Sequence, residues 1–168
     1  MCAPWTSAQT LDWQPFQSSQ LNFSAQFPGT PKAGEPQVEK NADGSVKSTT
    51  TLFLLSIPNV ISIVGVTDYT FDLDVDGELK LDQANFIKAI DGTLVTSRQA
   101  EYVSGKTKLP ELIFTFEYPK VNYTGRGIII NQGRRIYMAV FAYKSGSEYS
   151  TSADKFLDSL ELTGVPQK

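Results

Sequence analysis

The 168 residues contain no histidine. The side chain best suited to proton transfer near neutral pH is thus missing, and so is the commonest ligand for zinc, iron or copper. Ser-His-Asp, Cys-His and His-ligated metal chemistries are excluded. The single cysteine is Cys2, so no internal disulfide and no thiolate cluster can form. Paired carboxylates or a lysine-activated serine remain. Asp72, Asp74 and Asp76 alternate along one segment, and glycosidases use two carboxylates about 5–10 Å apart. Side chains two apart on a strand, however, point together into solvent, with nothing apolar to raise one pKa. The chain is therefore expected not to be an enzyme.

The same acids suit a second chemistry. Asp72-Leu73-Asp74-Val75-Asp76-Gly77-Glu78-Leu79 follows the opening of an EF-hand-type calcium loop, with alternating acids, then a glycine, then an apolar residue. Asp72, Asp74, Asp76 and Glu78 are the metal candidates. Against them, Gln83 stands where the bidentate glutamate belongs, and the entering segment reads as a strand. The preferred reading is a solvated strand face at Asp72 and Asp74 followed by a turn at Asp76-Gly77. No metal and no other cofactor is expected.

A third constellation is Arg126, Arg134 and Arg135, with Tyr123, Tyr137 and Tyr143 nearby. On a hairpin, Arg126 would come close to one of the other two arginines. Tyr and Arg are enriched at binding hot spots because each combines a large area with a polar end. Arg126, Arg134, Arg135 and Tyr137 are therefore the partner-binding candidates. The competing reading is an ordinary solvated strand face with cross-strand charge pairs.

Charge and hydropathy narrow the partners. Fifteen basic side chains against 18 acidic ones give a net charge of −3, which does not suit a nucleic-acid surface. The longest apolar stretch, Leu52 to Val66, is interrupted by Ser56, Pro58, Asn59 and Ser62, short of the ~18 residues of a membrane span. Cys2-Ala3 followed by the polar Thr6 to Thr10 matches a lipid-modified cysteine and its tether, with Met1 standing where a signal peptide has been removed. The competing reading is a native start with an incidental cysteine. On the first reading Cys2 is a lipid anchor, the only membrane contact, and the protein is exported to the cell envelope.

The elements that must position these residues follow from periodicity. Residues 1–11 read as a tether and 12–168 as one domain, expected to be a monomer. Trp13 to Phe16 is extended. Phe23, Ala25 and Phe27 share one side of a strand, stopped by Pro28-Gly29-Thr30-Pro31. Gln37–Asn41 and Val46–Leu55 flank a hairpin turn at Asp43-Gly44. Ile61–Val75 alternates as one long strand, and a helix is expected over Gln83–Asp91, capped by Asp82 and Gly92. Further strands are expected at Leu94–Val103, Glu111–Tyr118, Gly125–Asn131 and Arg134–Tyr143. Thr151 to Asp154 resembles a capping box, opening a helix whose apolar face is Ala153, Phe156, Leu157 and Leu160. This order predicts an α+β fold: an antiparallel sheet of six or more strands, with the mid-chain helix and the C-terminal helix each packed on a face.

Several of these features together resemble one family. They are Trp13 with Phe16, the segment from Phe23 to Pro31, the strand Arg134-Arg135-Ile136-Tyr137-Met138, and Ala153-Asp154-Lys155-Phe156-Leu157-Asp158-Ser159-Leu160. The chain looks like the PsbP-like fold family. Its members include the extrinsic subunit of photosystem II, a Ran-binding nuclear import factor and many bacterial secreted or lipid-anchored proteins. The resemblance implies an α/β/α sandwich and a non-catalytic binding or assembly role toward a protein partner. The alternative is a carrier holding a small apolar ligand between the sheet and the C-terminal helix. If Cys2 is an anchor, mass spectrometry of the full-length protein from its own host will find acyl chains on it; an unmodified Cys2 would remove the anchor.

Overall fold

The computed structural model describes residues 10–164. Strands β1 (Gln14–Ser18), β2 (Phe23–Phe27), β3 (Lys32–Ala33), β4 (Gln37–Lys40), β5 (Val46–Ile57) and β6 (Val60–Tyr69) precede helix α1 (Val75–Ala89). After it come β7 (Thr93–Ser104), β8 (Thr107–Tyr118), β9 (Tyr123–Gln132), β10 (Arg135–Lys144), helix α2 (Ser150–Asp158) and β11 (Glu161–Leu162). An eight-stranded sheet runs β3-β5-β6-β10-β9-β8-β7, with β4 also paired to β5; β1, β2 and β11 form a small second sheet. Adjacent strands are antiparallel, as short connections require. The expected α+β architecture is present, with the small sheet as an addition.

Turn chemistry explains the order. Gly44 takes φ +84° at the β4–β5 turn, where the Asp43 carboxylate accepts the backbone N–H of Ser45 at 3.0 Å. Pro58-Asn59, the interruption in the long apolar stretch, is the β5–β6 turn, with Asn59 left-handed at φ 67°. A short 3-10 turn at Pro119–Val121 links β8 to β9.

The centre of the large sheet is buried on both faces, and β10 shows why. Its odd positions Tyr137, Ala139, Phe141 and Tyr143 join one core cluster; its even positions Ile136, Val140 and Ala142 join the other. On the first face the small sheet and α2 close the core. Phe23 and Phe27 of β2 are fully buried, and Phe156 of α2 packs edge-on against Phe27 and tilted against Phe141. On the second face α1 lies over β8 and β9. There Gly125 and Gly127 make room for two rings, since a Cβ at either would collide with Phe116 or Phe114. Phe86 of α1 then packs edge-on against both rings. Leu52 and Leu54 of β5, on this same face, remain exposed beyond the reach of α1.

Two expectations are corrected. The strand expected to reach Val75 ends at Tyr69, and α1 begins at Val75 rather than Gln83. Val75, Leu79, Gln83, Phe86 and Ile90 form a helical stripe at intervals of three and four, Leu79 and Gln83 being buried. That burial outweighs the two-residue alternation of the preceding segment. Asp82 lies inside the helix instead of capping it, and the left-handed terminal residue is Asp91 (φ 49°) rather than Gly92. The second correction is at α2, which starts at Ser150 behind Tyr149 with no side-chain cap bond; Asp154 pairs with Arg126 instead. Of the expected apolar face, Ala153 and Phe156 are buried on α2 and Leu157 is half-buried, while Leu160 is buried just beyond the end of the helix. Leu11, assigned to the tether, packs against the first cluster.

Phe156→Ala should cost about 3–5 kcal/mol, the usual price of deleting a buried ring. Denaturant unfolding will show it as a lowered midpoint at unchanged slope. A loss under about 1 kcal/mol would remove Phe156 from the core.

Candidate functional site

The sequence-predicted residues do not converge. In the β9–β10 ladder Arg126 stands opposite Phe141, while Arg135 stands opposite Gln132. Arg126 and Arg135 thus lie six ladder positions apart, about 20 Å at the usual rise. The hairpin was expected to bring Arg126 near Arg134 or Arg135; its register separates them. Tyr137 is fully buried, its hydroxyl donating to the Leu21 carbonyl at 3.0 Å. It belongs to the core and offers no surface for a partner.

Each arginine has an aspartate. Arg135 forks Asp68, its Nε at 2.6 Å and its second nitrogen at 2.8 Å from the two carboxylate oxygens. Asp68 is its cross-strand neighbour on β6, and this bidentate bond raises the already high pKa of the guanidinium. Arg126 pairs with Asp154 of α2, fastening the helix to β9. Arg134 donates to Asp72 at 2.8 Å, so the arginine and acidic constellations meet. That pair is highly exposed and contributes little to stability.

The acidic segment is not the strand face with a turn that was expected. Asp72 and Asp74 precede α1, while Asp76 and Glu78 lie in its first turn, where their charge favours the helix dipole. Among the described residues, no three acidic or thiol side chains cluster in a way that could hold a metal. Glu78 has another role. Tyr69, the last residue of β6, donates its hydroxyl to Glu78 at 2.8 Å and lies 3.3 Å from Asp82. Burial, then the Glu78 charge, pushes the Asp82 carboxyl up to about 7. Burial and the two carboxylates raise the Tyr69 phenol as well. The Tyr69 hydroxyl thus faces both carboxylates, with the shorter bond to Glu78. This network ties α1 to the sheet.

Among the described residues, a cleft of about 610 Å³ opens between α2 and strands β7 to β9. Nine-residue α2 covers β9 and β10 and stops short of β7 and β8. Ile113, Ile128, Leu157 and Leu160 supply apolar walls. Tyr102 closes one end, its hydroxyl donating to the Leu160 carbonyl at 3.2 Å and accepting from the Leu162 N–H at 3.1 Å. The charged lining comprises Arg98, Arg126, Glu111, Asp154 and Asp158. The cleft lies where the small-ligand alternative placed its site, but these charges suit a polar guest better than an apolar one.

Glu111 is the unusual member. Only 9% of it is exposed, and burial raises its carboxyl above the usual range, with the charge of Arg98 opposing. Among the described residues no hydrogen bond reaches it. Sequence reasoning missed it, although a signal was available: Leu109, Glu111 and Ile113 share one strand parity, so a carboxylate interrupts an apolar row. Cys2 lies outside the described residues.

No family model and no curated protein matches the chain. Among solved structures it is similar to the cyanobacterial PsbP (CyanoP) of Synechocystis sp. PCC 6803, with TM-score 0.53 and 8% identity over 96% of this chain and 97% of that one. The chain has the PsbP-like fold. At this identity the likeness carries no residue-level function.

A carboxyl with a raised folded pKa binds more protons folded than unfolded between its ordinary 3.8 and about 7. Its contribution to stability is full below that window and is lost as pH rises through it. Asp82→Asn should therefore flatten this decline and melt higher than the wild type above about pH 7. Thermal melts across the window will show the difference; coincident curves above it would mean that Asp82 ionises at no cost.

Proposed function

We propose that this protein is a non-catalytic binding or assembly module that takes an extended segment of a protein partner along β7. The observation that carries this reading is the edge of the large sheet. On the opposite side β3 and β4 both pair with β5. On this side β7 is twelve residues long, and among the described residues it pairs with β8 alone. A long edge offers a row of free N–H and C=O groups to an added strand. Val95 and Val103 present apolar surface along it, at 55% and 59% exposed.

Other features agree with a binding role. The chain lacks histidine. Two titratable groups with strongly raised pKa values outside the cleft, Tyr69 and Asp82, contact one another and tie α1 to the sheet. Among the described residues no helix is long and apolar enough to cross a membrane. An exported protein held at the cell envelope through Cys2 suits this reading.

The test is site-specific photocrosslinking in the organism of origin. A photoreactive residue at Val95, on the free edge, should give one discrete adduct. The same residue at Lys88, on exposed α1, should give none. Identical patterns from the two positions, or no adduct from Val95, would remove the edge-binding role.

A further inference from the structure

We propose that the cleft beside β7 is a socket for a lysine or arginine side chain of the segment that pairs with that edge. The inference rests on the edge-binding reading and specifies what the edge selects. It begins from Glu111, a residue nine-tenths buried whose carboxylate opens into the cleft and has no hydrogen-bond donor among the described residues. Desolvating a carboxylate without giving it a donor is costly, and Arg98 supplies charge at a distance without a hydrogen bond. A donor arriving from outside would remove that cost.

The lining defines the donor. Arg126 is neutralised by Asp154, which leaves Glu111 and Asp158 against Arg98, so the cleft favours a cation. Its walls between rim and carboxylate are apolar, built by Tyr102, Ile113, Ile128 and Leu157. A guest with a hydrocarbon stem and a cationic head fits both surfaces, and that description is a lysine or arginine side chain. A bare ammonium ion would leave the walls unused, and an aliphatic side chain would leave Glu111 unpaired.

Register opens the route from the edge. In the β7–β8 ladder the residue opposite Glu111 is Ala100, the smallest side chain on this face of β7. A strand added to β7 would lie two strand spacings from β8, about 9.6 Å. A long side chain registered with Ala100 can cross that methyl group and meet Glu111. On either side of Ala100, Arg98 and Tyr102 are large and frame the passage.

The probe is an acetylated and amidated pentapeptide, Thr-Val-Lys-Val-Thr, compared with its norleucine analogue, which keeps the stem and loses the charge. Amide NMR titration should show the lysine peptide shifting the signals of Ala100, Tyr102 and Glu111 to saturation. The norleucine peptide should bind at least about tenfold more weakly, as expected for loss of a charge-assisted bond. Glu111→Gln, isosteric and uncharged, should abolish that difference, and so should Ala100→Leu, which blocks the passage and leaves the edge backbone intact. Equal binding of the two peptides to the wild type overturns the socket while leaving the edge role standing. Binding by neither peptide, discrimination that survives in Glu111→Gln, or concentration-dependent shifts along β7 without peptide also overturn it. The last outcome would assign the edge to a second copy of this chain.

Discussion

The fold depends on β10 being buried on both faces at once. Strands of antiparallel sheets commonly show one face to water, yet here alternate residues of β10 enter two separate cores. That commits the chain to providing two covers. One is α1; the other combines α2 with the small sheet of β1, β2 and β11. Because β1 and β2 come from the start of the chain and β11 from its end, the first core cannot close until both have arrived. Serine 159 of the C-terminal segment illustrates the join: the Ser159 hydroxyl accepts the backbone N–H of Gln26 at 2.8 Å.

The two covers differ in reach, and this sets where the molecule is open. On the α1 face, the glycines of β9 let Phe114 and Phe116 lie flat enough for Phe86 to seat on them. On the α2 face, the short helix and the small sheet crowd over the β5–β6–β10–β9 half. The β7–β8 half is left with a trough floored by side chains that alternate between apolar and charged. The trough and the free edge of β7 are thus one consequence of a cover too short for its sheet. The same geometry desolvates Glu111 in part without giving it a hydrogen-bond donor among the described residues.

The carboxylates divide by environment more than by sequence. Asp68 and Asp72 neutralise arginines across short loops and ladders, Asp76 and Glu78 sit at a helix start, and Asp82 is pushed toward its neutral form by burial. Glu78 serves two roles, since it also accepts a hydrogen bond from the Tyr69 hydroxyl.

Sequence by itself determined the class of fold and most strand positions. Alternation at Phe23–Phe27 and along β10, the turn at Asp43-Gly44, and the spaced apolar face of α2 are local signals, and local signals suffice for them. It also excluded histidine-based chemistry, which is a matter of composition alone. Tertiary structure decided the rest. Tyr69 to Val75 alternates like a strand, but Leu79 and Gln83 are worth more buried on a helix, a comparison that requires the sheet to be present. The arginine cluster dissolved because hairpin register, not sequence proximity, sets distance along a ladder. Glu111 became a candidate only when β7, β8 and α2 were placed together, since the desolvation of a charge at the wall of a cleft is a property of its surroundings and cannot be read from its neighbours in the chain.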